Sequence, residues 1–230
     1  MNIPFYISSN GTLFCIVFGV MALTGFIMRL QSRNFYTLHV FVRKFSMLDL
    51  EFPVSALELA TYIKGIFLLP KELSSRSLRA LKGQLYLDFL FIPFVYGTIF
   101  LLCMAVSHKM NFVGHSIFTV LAWAQVAPLF CDLIENFYLL QKIRPDAAIS
   151  KPSVHKAYQL LGKIKWGIAS ISVASVISTL FYFWLTGNFS YGAISVLSVI
   201  IVELIIIYIL MRITGNKPTV DLDQYQNIGN

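Results

Sequence analysis

Charge is scarce in this chain. Lys, Arg, Asp and Glu together make up 13% of its 230 residues, against about 25% in an ordinary soluble domain. That is too little to cover a soluble surface. Cysteine is also rare: Cys15, Cys103 and Cys131 all fall inside apolar runs and no CxxC occurs. That count and placement argue against a disulfide framework and a zinc cluster. The chain carries no GxSxG, Walker, GxGxxG or HExxH pattern, so the common hydrolase, nucleotide and metalloprotease readings lose their signatures. No internal repeat is visible, which is an unusual starting point for a secondary transporter. Residues 1–10 hold no Lys or Arg, so the first apolar run does not read as a secretory signal. The four histidines, His39, His108, His115 and His155, are spread over loops and ends with no haem-ligand placement.

What the chain has is apolar length. Hydrophobic residues make up 57% of it, and they collect in runs near the roughly 20 residues that span a bilayer. Five spans are expected, at 12–30, 87–106, 115–140, 161–185 and 191–213. The fold class that follows is all-α: one polytopic transmembrane helix bundle over residues 1–230. A sixth run, 54–69, opens at Pro53 and stops before Pro70. It is short for a span, so an interfacial helix is expected there. Gly19, Ala22 and Gly25 on the first span, and Ser170, Ala174 and Ser178 on the fourth, give small-residue faces suited to internal helix seams.

The net charge of +7 is topological. The N-terminus, the 107–114 loop and the 186–190 turn hold Lys109 alone among basic residues, and the other side holds the rest. By the positive-inside bias, the N-terminus lies outside and the C-terminus in the cytoplasm. Scattered over short connections, the basic residues form no nucleic-acid-binding domain.

Polar residues inside the spans carry the functional signal, because an ionisable group there is costly. An acidic residue at mid-helix costs about 2.5 to 3.5 kcal/mol on insertion scales, and each strongly apolar side chain offsets about 0.3 to 0.6. Glu203 is surrounded by thirteen Ile, Leu and Val residues that contribute roughly 4 to 8 kcal/mol. It needs no special role, and a hydrogen bond to a neighbouring Ser or Tyr would satisfy it. The third span is marginal: its nine strongly apolar residues before Glu135 roughly match the cost of Asp132 and Glu135. Its carboxylates therefore need partners in the folded bundle.

Helical spacing places Gln125, Pro128, Asp132 and Asn136 on one stripe with Glu135 beside it, and Asp88, Ile92 and Tyr96 on another. At 1.5 Å per residue, Asp88, Asp132 and Glu135 all lie about 26 to 30 Å from the outer ends of their helices, near the cytoplasmic boundary. Pro93 and Pro128 share a second level, about 20 Å down, where two kinks would open a cytoplasmic cavity. Glu58, with Glu51, would close the cluster from below. The expected ligand-binding set is Asp88, Tyr96, Gln125, Asp132, Glu135, Asn136 and Glu58. As a metal set, Asp88, Asp132 and Glu135 offer hard oxygens suited to a divalent cation such as Mg, Ca or Mn. A proton or cation relay, and plain pairing with Lys82, Lys142 or Arg144, stand beside these readings.

Three stretches carry a resemblance: Leu57-Glu58-Leu59-Ala60, Leu87-Asp88-Phe89-Leu90-Phe91-Ile92-Pro93 with Tyr96, and Asp132-Leu133-Ile134-Glu135-Asn136. Over roughly 50–140 the chain resembles a group of small bacterial polytopic inner-membrane proteins with DFLFIPxxY and DxxEN motifs. The resemblance implies an inner-membrane location and brings no activity with it. The functional expectation is a membrane protein that binds a lipid or small amphiphile at the carboxylate cluster. The alternatives are a metal-dependent membrane enzyme acting on lipid head groups, with a divalent cation, and an accessory subunit that meets another membrane subunit through the 170–178 ridge.

Overall fold

The computed structural model describes residues 11–39, 42–146, 148–188 and 191–215. The uncharged N-terminal stretch and the polar C-terminal tail read from the sequence lie outside them, as do residues 189 and 190 of the 186–190 turn. Eight helices and one hairpin follow in chain order: α1 (Gly11–Ser32), β1 (Tyr36–Leu38), β2 (Val42–Lys44), α2 (Met47–Glu51), α3 (Ala56–Leu68), α4 (Lys71–Ser107), α5 (Phe112–Ala124), α6 (Val126–Lys142), α7 (Pro152–Leu185) and α8 (Tyr191–Gly215). Five segments are long and apolar enough to cross a membrane: α1, α4, α5 with α6, α7, and Val196–Thr214 of α8. The chain is a multi-pass helical membrane protein, and all five expected spans are there.

Two of the spans are longer than expected. At 37 residues α4 is about 55 Å long, and at 34 residues α7 is about 51 Å, against a hydrocarbon core of about 30 Å. Their extra turns, 71–86 and 152–160, were expected to be connections. Pro70 stands at the N-cap of α4 and Pro152 in the first turn of α7, where a missing N–H costs no hydrogen bond. At its far end α7 closes with the N–H of Asn188 on the Phe183 carbonyl, at 2.9 Å, and that of Gly187 on Trp184. Gly187 takes φ 69°, the left-handed conformation this cap requires.

The third span is broken between α5 and α6. Pro128 has no N–H for the Ala124 carbonyl and its ring crowds that group, so the helix stops and restarts at Gln125. Pro93 lies inside α4 without interrupting it. The expected pair of matched kinks is therefore one break, and neither of the hollows described below is lined by Pro93 or Pro128.

Neighbour pairs give the packing directions. Gln31, Gly25 and Val17 of α1 meet Gly83, Phe91 and Gly97 of α4, so the two run antiparallel. Gly11, Gly19 and Arg29 of α1 meet Val196, Glu203 and Met211 of α8, so those two run parallel. The expected seam on α1 is real: Gly19 admits the Glu203 side chain, whose Oε1 would sit 2.9 Å from a Cβ at that position. The expected Ser or Tyr partner of Glu203 is not found among the described residues, where its Oε2 is buried without a partner. The expected seam on α7 is not formed, because Ser170, Ala174 and Ser178 face outward.

Two cores result. One, inside the bundle, gathers Ile92, Ile99, Cys103, Met104, Phe118, Ala122 and Val176. The other lies at the end where α4 and α7 overrun. There Phe35, Tyr36, Leu50, Leu59, Ile63, Ile66, Leu81, Leu139 and Tyr158 pack the hairpin, α2 and α3 against the ends of α4, α6 and α7. The hairpin pairs Tyr36 with Lys44 and Leu38 with Val42 and was not anticipated. Thirteen residues make α3 about 20 Å long, too short to cross. Its Gly65 lies against Thr37 and the Leu38 backbone, so closely that a Cβ there would overlap the Thr37 hydroxyl and the Leu38 carbonyl.

Candidate functional site

Four carboxylates, Asp88 of α4, Asp132 and Glu135 of α6 and Glu51 of the short α2, demand positive charge nearby. Lys165 of α7 supplies it. Its Nζ lies 2.8 Å from Asp132 Oδ1, 2.5 Å from Glu135 Oε2 and 3.5 Å from Glu51 Oε2. Lys165 and Glu135 are 4% and 1% exposed, so the pair is shielded from both water and lipid. The Tyr96 hydroxyl of α4 donates to Asp132 Oδ2 at 2.9 Å. One turn away, Asn136 Nδ2 donates to Asp88 Oδ2 at 2.6 Å. The two stripes expected on α4 and α6 do face each other, and α7 closes the third side.

Five of the seven expected site residues thus come together: Asp88, Tyr96, Asp132, Glu135 and Asn136. Gln125 lies at the break between α5 and α6, its Nε2 donating to Ser172 Oγ at 2.8 Å and to the Leu121 carbonyl. Glu58 is elsewhere. It sits in the first turn of α3, where its Oε2 accepts from the Val54 N–H at 2.6 Å, a capping role for a helix N-terminus. It also lines a separate hollow of about 220 Å³ with His39, Arg43, Thr61 and Tyr62. Arg43 lies over the Tyr62 ring at 4.9 Å.

Asp88, Asp132 and Glu135 do not make the expected metal set. Among the described residues no three His, Cys, Asp or Glu side chains are grouped to hold a metal ion. The physical reason is Lys165, whose ammonium stands between Asp132 and Glu135 where a cation would have to sit. Nor do Lys82, Lys142 or Arg144 serve as the partner cation; Lys142 Nζ donates to the Ala148 carbonyl instead. One oxygen is left over: Glu135 Oε1 is buried without a partner among the described residues, beside Gly162, where a Cβ would approach it to 3.1 Å.

The cluster also holds α2 in place. Glu51 accepts from Trp166 Nε1 at 3.2 Å, Tyr158 donates to the Leu50 carbonyl at 2.9 Å, and Gln159 to the Pro53 carbonyl at 2.9 Å. The same short helix, with its cap residue, forms one wall of a second hollow of about 330 Å³. Met28, Met47, Leu48 and Phe91 give this groove an apolar lining, and Gly25 leaves it open between α1 and α4. Arg29, Ser32, Ser46 and Gln84 are its polar residues. Gln84 is 5% exposed and its Oε1 has no partner among the described residues. It lies one helical turn from Asp88 on the same face of α4, so groove and cluster are at one level of the bundle. His155, at the start of α7, is also buried with both ring nitrogens unpartnered among the described residues.

No protein-family model, curated protein or solved structure matches this chain. The chemistry of the site rests on its own geometry.

Proposed function

We propose that this membrane protein binds a small amphiphile, and that the ligand lies in the groove between α1, α2 and α4, not among the carboxylates. The observation that carries this reading is Gln84, which lines the groove beside its apolar residues and whose buried amide oxygen has no partner among the described residues. Leaving such a group unpaired costs about 1 to 3 kcal/mol, and a ligand donor would recover it. Small-molecule sites combine apolar walls with a few convergent polar groups in this way. The Lys165 cluster then serves the groove indirectly, by fixing α2 as its wall.

The groove sits at the end of the bundle that holds most of the Lys and Arg. We read that end as cytoplasmic, with the N-terminus outside, in a bacterial inner membrane; the charge asymmetry and the resemblance of the 87–96 and 132–136 motifs support this. The test is native mass spectrometry of the gently solubilised chain, with metal analysis of the same sample. A retained lipid-sized mass, lost when Gly25→Leu fills the groove, is the expected result. A stoichiometric divalent ion would favour the metal-enzyme reading, and an added protein mass a subunit. A bare monomer would overturn amphiphile binding.

A further inference from the structure

The polar lining of the groove selects its ligand's head group. Arg29 makes no ion pair among the described residues; its Nη1 donates only to the sulfur of Met211, at 3.0 Å. Sulfur is a weak acceptor, so a full positive charge is available to an anion. The remaining polar groups accept. Ser32 Oγ donates its proton to the Arg29 carbonyl at 2.8 Å, and Ser46 Oγ donates its own to Asp49 Oδ2 at 2.9 Å. Ser32 Oγ keeps its lone pairs, Ser46 Oγ keeps one beside the Asp49 N–H that it accepts at 3.3 Å, and Gln84 Oε1 is a buried acceptor without a partner among the described residues. The groove thus offers one cation, Arg29, and the acceptor oxygens of Ser32, Ser46 and Gln84, with the Asp49 carboxylate behind Ser46 as a further acceptor. Its complement is an anion that also carries hydrogen-bond donors. A terminal ammonium would supply donors but would place a second positive charge beside Arg29; hydroxyls would not.

The position fits a lipid. Arg29 is eighteen residues from the start of α1 (Gly11), about 27 Å along its axis, so it stands at the edge of a hydrocarbon core about 30 Å thick. A head group held there keeps its acyl chains at the depth of Met28, Phe91 and Gly25. Resting on the amphiphile-binding reading above, we infer that the groove is a site for an anionic phospholipid whose head group ends in free hydroxyls, a phosphoglycerol being the simplest.

The full-length protein, exchanged into micelles holding equal amounts of phosphatidylglycerol, phosphatidic acid, phosphatidylethanolamine and phosphatidylcholine, tests this by native mass spectrometry. Phosphatidylglycerol is expected to be retained over phosphatidylcholine by about tenfold or more, the scale of one charge-assisted hydrogen bond, and also over phosphatidic acid, which has the charge without the hydroxyls. Arg29→Ala is expected to lower phosphatidylglycerol to the phosphatidylcholine level. Gln84→Met, close in shape, is expected to remove the advantage over phosphatidic acid and keep that over phosphatidylcholine. Lipid retained without regard to head group would overturn this inference and leave amphiphile binding standing; no retained lipid would overturn both. The wild-type panel alone decides the matter if either variant folds poorly.

Discussion

Replacing Lys165 by Met removes the one ammonium that Asp132, Glu135 and Glu51 share. The side chain is 5% exposed and those of Glu135, Asp132 and Glu51 are 1%, 13% and 15% exposed, so water screens the three carboxylates only weakly. Breaking a buried ion pair from one side costs about 3 to 5 kcal/mol, because the remaining charge stays desolvated and unpaired. Against a net stability of about 5 to 15 kcal/mol for a typical protein, that is a large share. The assay is reversible unfolding in mixed micelles, followed by fluorescence of the tryptophans, among which Trp166 adjoins the cluster. Lys165→Met is expected to shift the transition by about 3 kcal/mol or more. Adding Asp132→Asn and Glu135→Gln is expected to recover most of the loss, since the orphaned charges go with the ammonium. Lys163→Met, two residues away and exposed, is the control and is expected to stay within about 0.5 kcal/mol. A single variant as stable as the wild type, or a triple variant no better than the single, would refute the account of the cluster as a charge-compensated brace.

Other substitutions test separate contacts. Asn136→Ala takes the amide donor from Asp88 and is expected to cost about 1 to 3 kcal/mol in the same unfolding assay, with Ala127, on the outer face of the same helix, changed to Ser as a neutral reference. Gly65→Ala drives a methyl into Thr37 and the Leu38 backbone; a loss of about 1 to 3 kcal/mol and faster proteolysis of the hairpin are expected, and an unchanged digestion pattern would argue against that packing. Glu203→Leu replaces a carboxylate whose Oε2 has no partner among the described residues by a side chain that suits the bilayer, so detergent stability should rise, and a fall would mean that Glu203 has a partner after all.

The fold was legible where hydropathy alone decides it. Five apolar runs became five spans because each is about as long as the hydrocarbon core is thick, or longer, and little else can be done with it. The overrunning turns of α4 and α7 were hidden because Lys71, Glu72, Arg76, Arg79 and Lys82 break any hydropathy average. Periodicity would have found the first of them: Leu73, Ser77, Leu81 and Leu85 recur every four residues, and all four are buried. The hairpin had less to show. Its strands are three residues each, too short for alternation to register, and no Asn-Gly or Asp-Gly marks the turn. It is held by neighbours, with the Thr37 hydroxyl on the Tyr62 carbonyl at 2.9 Å, and such contacts cannot be read from the strand itself.

The carboxylate stripes on α4 and α6 were legible because helical spacing and depth agree, yet their counter-ion was missed, and the two misjudgements about α7 have one cause. In lipid a small-residue stripe favours a helix seam through close packing alone, because no hydrophobic force drives it away from the apolar exterior. A charged residue carries a stronger preference. Lys165 must turn toward the carboxylates, and residues on its face follow with the heptad-like steps Ala169, Ser172 and Val176, of which Ser172 and Val176 are fully buried. Ser170 stands two residues from Ser172, about 200° around the helix, so it and the rest of its ridge are driven outward. Depth would have named the partner as well. Lys165 is twenty residues from the end of α7 at Leu185, about 30 Å, which is the level calculated for Asp88, Asp132 and Glu135 from their own helix ends. Where a membrane helix holds both a small-residue ridge and a lysine at the depth of unpaired carboxylates, the lysine sets the rotation.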